Sequence, residues 1–431
     1  MRLVILGGGG FRVPLVYRAL LADREPGRVT ELVLYDLDAK RLDAITRVLH
    51  DLVGNILDAP SITATTDLDE ALRGADFVFS AMRVGGLDGR AVDERVAADA
   101  GVLGQETVGA GGITYGLRTI PVAVDVAQRI KRLAPDAWVI NFTNPAGMVT
   151  EAMARHLGNR VIGICDSPVG LGRRVARALG VDLSEAWLDY AGLNHLGWLS
   201  GFHVEGVDRL PKLLADGEKL ESFEEGKLFG AEWLQAIGAV PNEYLHYYYF
   251  NREAVAAGAQ RGAFLKTQQE RFYADPSLES WERTRLERES TYMAETRDDE
   301  RDSCDLDGGG YEQVALSLMH AIANDRQATL ILNVPNGSTL DAVDGDAVVE
   351  VPSVVTANGA RPVSVSQIPG HGVGLVATIK AVERATIEAA LSGERKHALK
   401  ALALHPLVDS VAVARRILDT HPYLSGEFRA R

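Results

Sequence analysis

The first 36 residues constrain the fold of this chain more than any other stretch. They open MRLVILGGGGFRVP: an apolar run, four consecutive glycines, then a proline. The pattern predicts a buried strand over Leu3–Leu6 and a helix over Pro14–Leu21, with Pro14 suited to a first helical turn. ELVLYD, Glu31–Asp36, follows as a second strand. Glycines between a strand and a helix let backbone approach a pyrophosphate while the helix N-terminus points at it. Gly7 and Gly9 take the first two places of the GxGxxG pattern, and the third falls on Arg12, a departure. Gly8, Gly10 and Phe11 complete the expected cofactor loop. Asp36 at the second strand end can accept from adenosine ribose hydroxyls, which favours NAD over NADP, although Lys40 and Arg41 stand close. A tight turn that binds no nucleotide is the alternative reading.

The alternation continues. Ala39–Leu57 has apolar residues at helical spacing, DFVFSAM (Asp76–Met82) and AWVINFTN (Ala137–Asn144) read as strands, Ala146–His156 as a helix, and VIGIC as a strand ending at Cys165. Strands alternating with helices specify a parallel sheet wrapped on both faces, a Rossmann-type doubly wound α/β fold. After about Leu196 the pattern changes. Residues 206–235 and 252–305 are charged and predicted mostly helical, Thr329–Leu332 and Asp346–Ala357 are predicted strands, and Leu375–Leu391 and 395–407 predicted helices. The expected organisation is an NAD-binding domain over residues 1–195 and a mixed α+β domain over 196–431. The second would serve substrate binding and oligomerisation, its helices packed over the open edge of the first.

Charge narrows the partners. Lys and Arg total 45 against 59 Asp and Glu, a net of -14. That argues against nucleic acid and anionic membranes, but not against a small phosphorylated molecule held by a local arginine clamp. No apolar run reaches 18 residues, so no membrane span is expected. The N-terminal apolar run is short for a signal peptide. Two cysteines are too few for a disulfide framework, and a reducing cytoplasm is the expected setting.

Four polar stretches fall at predicted strand ends, where ligands of open α/β sheets bind. RVGGLDGRAVDER offers Arg83, Arg90 and Arg95, GQETVGAGG offers Gln105, Glu106 and Thr107, NFTNPAG offers Asn141 and Asn144, and GLNHLGW offers Asn194 and His195. Any one alone reads as a polar turn. Cys165, at a strand end before a predicted helix, would have its thiolate stabilised by helix N–H groups. With His195 it makes half a metal site, leaving other positions to substrate and water. A core cysteine and a satisfied histidine are the plainer alternative. Cys304, in an acidic stretch, is read as structural or exposed.

In order, LGGGGFRVP, RVGGLDGR, GQETVGAGGITYGLRTIPV, NFTNPAG, GICD, GLNHLGW, PNEYLHYYY and ALKALALHPLV resemble glycoside hydrolase family 4 over nearly the whole chain. RVGGLDGR is most similar to its 6-phospho-β-glucosidases. The resemblance implies hydrolysis that depends on NAD and a metal: transient oxidation of the sugar at C3, removal of the C2 proton, elimination and readdition at C1, and return of the hydride. It implies Cys165 and His195 as ligands of a cation, usually manganese, whereas a thiolate alone would suggest zinc or iron. Tyr244 matches the base, with Tyr247 and Tyr248 as rivals. Asn144 matches a sugar-hydroxyl ligand, Glu106 an acid near the metal, Asn194 a further substrate contact, and Arg90 and Arg83 the sugar-phosphate contact.

Two departures bear on the substrate. Asp307 stands where relatives often carry a basic residue, which opens an unphosphorylated sugar. Asp166 follows the cysteine, where α-active relatives carry the aspartate proposed as leaving-group acid and β-active ones asparagine. The expectation is a 6-phospho-β-glucosidase, with the α-anomer, a free sugar, a plain NAD-dependent dehydrogenase and a non-catalytic NAD-binding protein as alternatives. Relatives form dimers or tetramers, so a homo-oligomer is expected.

Overall fold

The computed structural model describes residues 1–258, 261–292, 310–366, 368–424 and 426. Six short strands carry the N-terminal half: β1 (Arg2–Leu6), β2 (Glu31–Tyr35), β3 (Ser61–Thr65), β4 (Phe77–Ser80), β5 (Trp138–Asn141) and β6 (Val161–Gly163). They pair in parallel in the order β6-β5-β4-β1-β2-β3. This is the doubly wound dinucleotide order, whose winding reverses between β1 and β4. Leu3, Val4, Ile5 and Leu6 are fully buried because helices cover both faces of the sheet. The exception is β3, SITAT, an edge strand half open to solvent. Its lack of an apolar run hid it from the sequence reading. The helix predicted from Ala39 starts there, capped by the Asp38 carboxylate on the amides of Lys40 and Arg41, and ends at Val53 before Gly54.

The second half adds strands to the same sheet. β7 (Ala186–Leu193) and β8 (Leu196–Val204) form an antiparallel hairpin whose two-residue turn is Asn194–His195. β9 (Val207–Asp208) and β10 (Val240–Pro241) both pair with β8. β11 (Ala328–Pro335) and β12 (Val348–Thr356) form a long antiparallel pair, and β13 (Gly359–Pro362) pairs with β12. The β11–β12 pair joins the halves by single bridges. Asn333 of β11 pairs with Gly163 of β6, and Glu350 of β12 with Gly192 of β7. Gly163 is required there, since a Cβ would stand 2.7 Å from that of Asn333 and 2.5 Å from the Thr150 hydroxyl.

Thirteen described strands therefore form one mixed sheet. The β6 edge, expected to lie under helices, is instead extended by strands. Residue 195 lies in the hairpin turn, and the sheet runs on across it. The later helices pack elsewhere: Gly370–Ser392 and Arg395–Leu404 against Gly109–Leu133, Arg261–Ala274 against Gly86–Asp99, and Tyr311–Ala323 against Val13–Ala22. The helix read from Leu375 begins five residues earlier, at Gly370.

Candidate active site

A cleft of about 1290 Å³ lies beyond the carboxyl ends of β1, β2, β4, β5 and β6. Gly7, Gly10, Phe11, Arg12 and Asp36 line it, as do Arg83, Arg90, Glu106, Asn144, Cys165, Asp166, His195 and Tyr244. Of the residues singled out in the glycine loop and at the strand ends, five do not: Arg95 is exposed, Asn141 is buried and donates to Thr143 O and Thr150 Oγ1, and the others are Gly8, Gly9 and Asn194. Gly8 and Gly9 pack against β2 and the helix that follows it. Asn194 borders a separate small cavity, and its amide donates to Glu350 Oε1 at 3.0 Å.

In the glycine loop, Gly7 holds φ 85°, and a Cβ there would meet Ala81 O at 2.6 Å. The loop consumes its own glycine amides. Gly7 and Gly8 donate to Tyr35 O, Gly10 to Gly7 O, and Gly9 to Asp36 Oδ2 at 3.0 Å. Among the described residues, the amides of Phe11 and Arg12 meet no protein acceptor. They directly precede the helix Val13–Ala22, so they are the donors available to an anion at its N-terminus. The Arg41 guanidinium stacks over the Tyr273 ring, 4.2 Å from its centroid, which engages one of the two cations that could have served a 2′-phosphate.

Cys165 lies two residues past β6 and is buried, as is His195. The turn puts His195 at φ 62°, a left-handed conformation that costs a side-chain-bearing residue about 1–2 kcal/mol and is kept where the surroundings enforce it. Thr107 Oγ1 lies 2.9 Å from His195 Nδ1, leaving Nε2 for a ligand. The Tyr244 ring stacks flat on the imidazole, with centroids 3.7 Å apart and planes at 5°. Burial, against the pull of Asp166 and Glu106, lowers His195 to about 4, so it stands neutral, the form that binds metals.

The expected ionised thiol is corrected by its surroundings. Burial first, then Glu350 and Asp166, push the Cys165 thiol well above the usual range, and the Ser167 amide only partly offsets them. The helix terminus alone does not keep this sulfur ionised. A buried thiol and a neutral imidazole, with nearby acids already disfavouring the thiolate, fit a divalent cation that would reverse that balance. Among the described residues no three His, Cys, Asp or Glu side chains converge as a metal cage. Substrate and water would fill the remaining positions.

The charged residues form pairs. Glu106 accepts from Arg90 at 2.6 Å and also pairs with Arg83, while Arg90 donates its Nε to Glu94 at 2.7 Å. Burial works to raise the Glu106 carboxyl, but the two arginines outweigh it and hold it at about 2. Asp166 lies 3.6 Å from the Arg12 guanidinium. Glu350 is fully buried, accepting from Asn194, Asn333 (2.9 Å) and Tyr190 (3.1 Å), and burial raises it to about 7. Burial raises Glu243 to about 7 as well, although Arg174 opposes it. Tyr244 meets Tyr292, hydroxyl to hydroxyl, at 3.3 Å, and burial raises its phenol well above 10. Of its rivals, Tyr247 also lines the cleft, whereas Tyr248 borders the small cavity and stacks on His405.

Sequence reasoning missed Arg288, which lines the cleft from the helix Leu278–Ser290. Its Nε is 3.5 Å from Glu289, and burial together with Arg12, Arg261 and Arg90 lowers it to about 9. Its segment read only as charged and mostly helical, with no residue singled out. The available signal was the lack of an apolar stripe: a helix in contact with the body of the protein must then bury some of its charges. Asp307 and Cys304 lie outside the described residues.

Comparison with known proteins follows the same lines. The family model for "Family 4 glycosyl hydrolase" matches residues 2–181, and that for its C-terminal domain matches 190–408. A 6-phospho-beta-glucosidase of Escherichia coli (strain K12) is 33% identical, with 98% of this chain and 95% of the relative covered. A 6-phospho-alpha-glucosidase from gut microorganisms, solved with NAD and glucose-6-phosphate, superposes with a TM-score of 0.85 at 28% identity, covering 99% and 98% of the two chains. A 6-phospho-beta glucosidase from Thermotoga maritima, solved with manganese, NAD+ and glucose-6-phosphate, gives 0.82 at 25% identity, covering 98% and 99%.

Proposed function

We propose, from the premise that this chain belongs to family 4 of the glycosyl hydrolases, that it hydrolyses a 6-phosphoglucoside with the β configuration, using NAD and Mn²⁺. The observation that carries the reading is a single cleft that holds the dinucleotide loop, the Cys165–His195 pair, Tyr244 and a crowded arginine. When bound, NAD supplies a reversible oxidant for the sugar and the cation a Lewis acid for its oxygens.

The chain's own groups do the rest. Asp36 accepts from the ribose hydroxyls, and the Phe11 and Arg12 amides receive the pyrophosphate. Cys165 and His195 hold the cation, with Thr107 fixing the imidazole. Asn194 supports His195 through Glu350 rather than touching the sugar. Tyr244, stacked on His195, takes the C2 proton. Asn144 binds a sugar hydroxyl. Arg288 receives the 6-phosphate, because burial and the neighbouring guanidinium groups disfavour its charge despite Glu289, and a phosphate dianion accepts from such a fork in bidentate fashion. Arg83 and Arg90, committed to Glu106 and Glu94, shape this pocket and hold Glu106 as a carboxylate beside it. Residues 1–195 carry the cofactor loop and most of the sugar-pocket side chains, and 196–431 add Tyr244, Arg288 and the subunit contacts, the assembly being a dimer or tetramer in the cytoplasm.

Asp166 favours a second reading, the α-anomer, since its carboxyl lines the cleft beside Arg12 where a leaving-group acid would stand. The test is release of 4-nitrophenol from the 4-nitrophenyl 6-phosphoglucosides with NAD, Mn²⁺ and thiol present. Faster turnover of the β-anomer without net NADH is expected, and faster α turnover selects the second reading. Silence on both anomers, phosphorylated or free, overturns the proposal, and steady NADH accumulation would mark a dehydrogenase. Light scattering gives the assembly size.

A further inference from the structure

The two unpaired amides of the cofactor loop must be aimed, and the loop does not aim them alone. Its carbonyls are held from the other half of the chain. The Tyr273 hydroxyl donates to Gly9 O at 2.7 Å, the Trp281 indole N–H to Phe11 O at 2.9 Å, and the Tyr311 hydroxyl to Arg12 O at 3.0 Å. A trans peptide is planar, so the carbonyl of one residue and the N–H of the next point opposite ways. Holding Gly9 O thereby directs the Gly10 amide, already bonded to Gly7 O. Holding Arg12 O directs the Val13 amide, already bonded to Gly10 O. Only the Trp281 bond directs a donor with no acceptor among the described residues, the amide of Arg12.

Trp281 is held in place for this. It is fully buried, its ring lies 6.2 Å from that of Phe11, and the Arg18 guanidinium caps it at 4.7 Å while pairing with Glu282 on the same helix. We propose that Trp281 is the positioning residue of the dinucleotide loop: its indole N–H holds the Phe11 carbonyl so that the Arg12 amide faces the pyrophosphate of the cofactor. The inference rests on the NAD reading above. One helix then supports the cofactor through Trp281 and reaches the sugar pocket through Arg288.

The test is Trp281→Phe, which keeps a buried ring and removes the N–H. Binding of NAD and of adenosine to the whole chain is measured by calorimetry. NAD should weaken about tenfold, the loss of one aimed hydrogen bond to a charged group. Adenosine, whose hydroxyls meet Asp36, should stay within twofold, and Tyr311→Phe should weaken NAD less than threefold. NAD binding within twofold of wild type overturns the inference. So does an equal loss of adenosine, which would mean a collapsed loop, or an equal loss in Tyr311→Phe, which would mean general bracing. If Trp281→Phe does not fold, benzothienylalanine at 281, with sulfur in place of N–H, reads the same difference. Wild-type protein that binds no NAD defeats the functional reading itself, whereas normal wild-type binding with an unaltered variant defeats this inference alone.

Discussion

The two regions of the cleft are built in opposite ways. The dinucleotide region draws its lining from Gly7, Gly10, Phe11, Arg12 and Asp36, one continuous βαβ opening, and offers backbone amides and one carboxylate. The sugar region collects Arg83, Arg90, Glu106, Asn144, Cys165, His195, Tyr244 and Arg288 from across the chain and offers buried charge. The difference teaches where each region is vulnerable. Backbone amides survive every substitution except proline, so side-chain changes in the first region should lose affinity in small steps. Buried charges lean on partners from distant elements, so the second should fail abruptly when one is taken away.

The sharpest break is Cys165→Ser. Loss of a ligand for a cation worth several kcal/mol at the transition state should cut kcat/KM about a thousandfold or more, while NAD affinity measured by calorimetry stays within twofold. A parallel fall in NAD affinity would show that the two regions are not separable.

Next is a pH effect on the metal-free protein. Folding raises the Glu350 carboxyl from its ordinary 4.5 to about 7, so at this site the folded chain keeps a proton that the unfolded one loses between those values. The stability this group contributes therefore falls as pH rises through that range, by up to about 3 kcal/mol. The urea midpoint of Glu350→Gln should accordingly gain on that of the wild type between pH 5 and pH 8. An unchanged slope would mean that Glu350 ionises without cost.

Arg288→Met should raise KM for the 6-phosphoglucoside about 10–100-fold, the worth of a charged hydrogen bond, and leave turnover of the free glucoside unaltered. Equal losses on both substrates would remove Arg288 from the phosphate. The smallest effect belongs to the dinucleotide region. Asp36→Asn should weaken NAD by about tenfold or less, because the loop still presents its amides, and the titration that measures Trp281→Phe reads it directly. A thousandfold loss there would invert the comparison.

Legibility follows the same division. The strand–glycine–helix–strand opening was readable because a few neighbouring residues decide it. The sugar region was readable only as ordered polar stretches at strand ends, and the resemblance gave them roles. Asn194 shows the limit: the turn directs it to Glu350 while its neighbour His195 enters the cleft. Arg288 and Trp281 sit in a helix that read only as charged, since burial of charge depends on partners that spacing does not reveal.

The sequence by itself determined the doubly wound half, its cofactor loop and the acid at Asp36, since local spacing and glycine placement set that chemistry. Tertiary structure alone decided that Cys165 and His195 line one cleft. The β11–β12 pair wedges between β6 and β7, so that Gly163, Asn333, Glu350 and Gly192 lie in one row across four strands. That row comes from the register between strands far apart in the chain, and register is a property of the packed sheet rather than of any single segment.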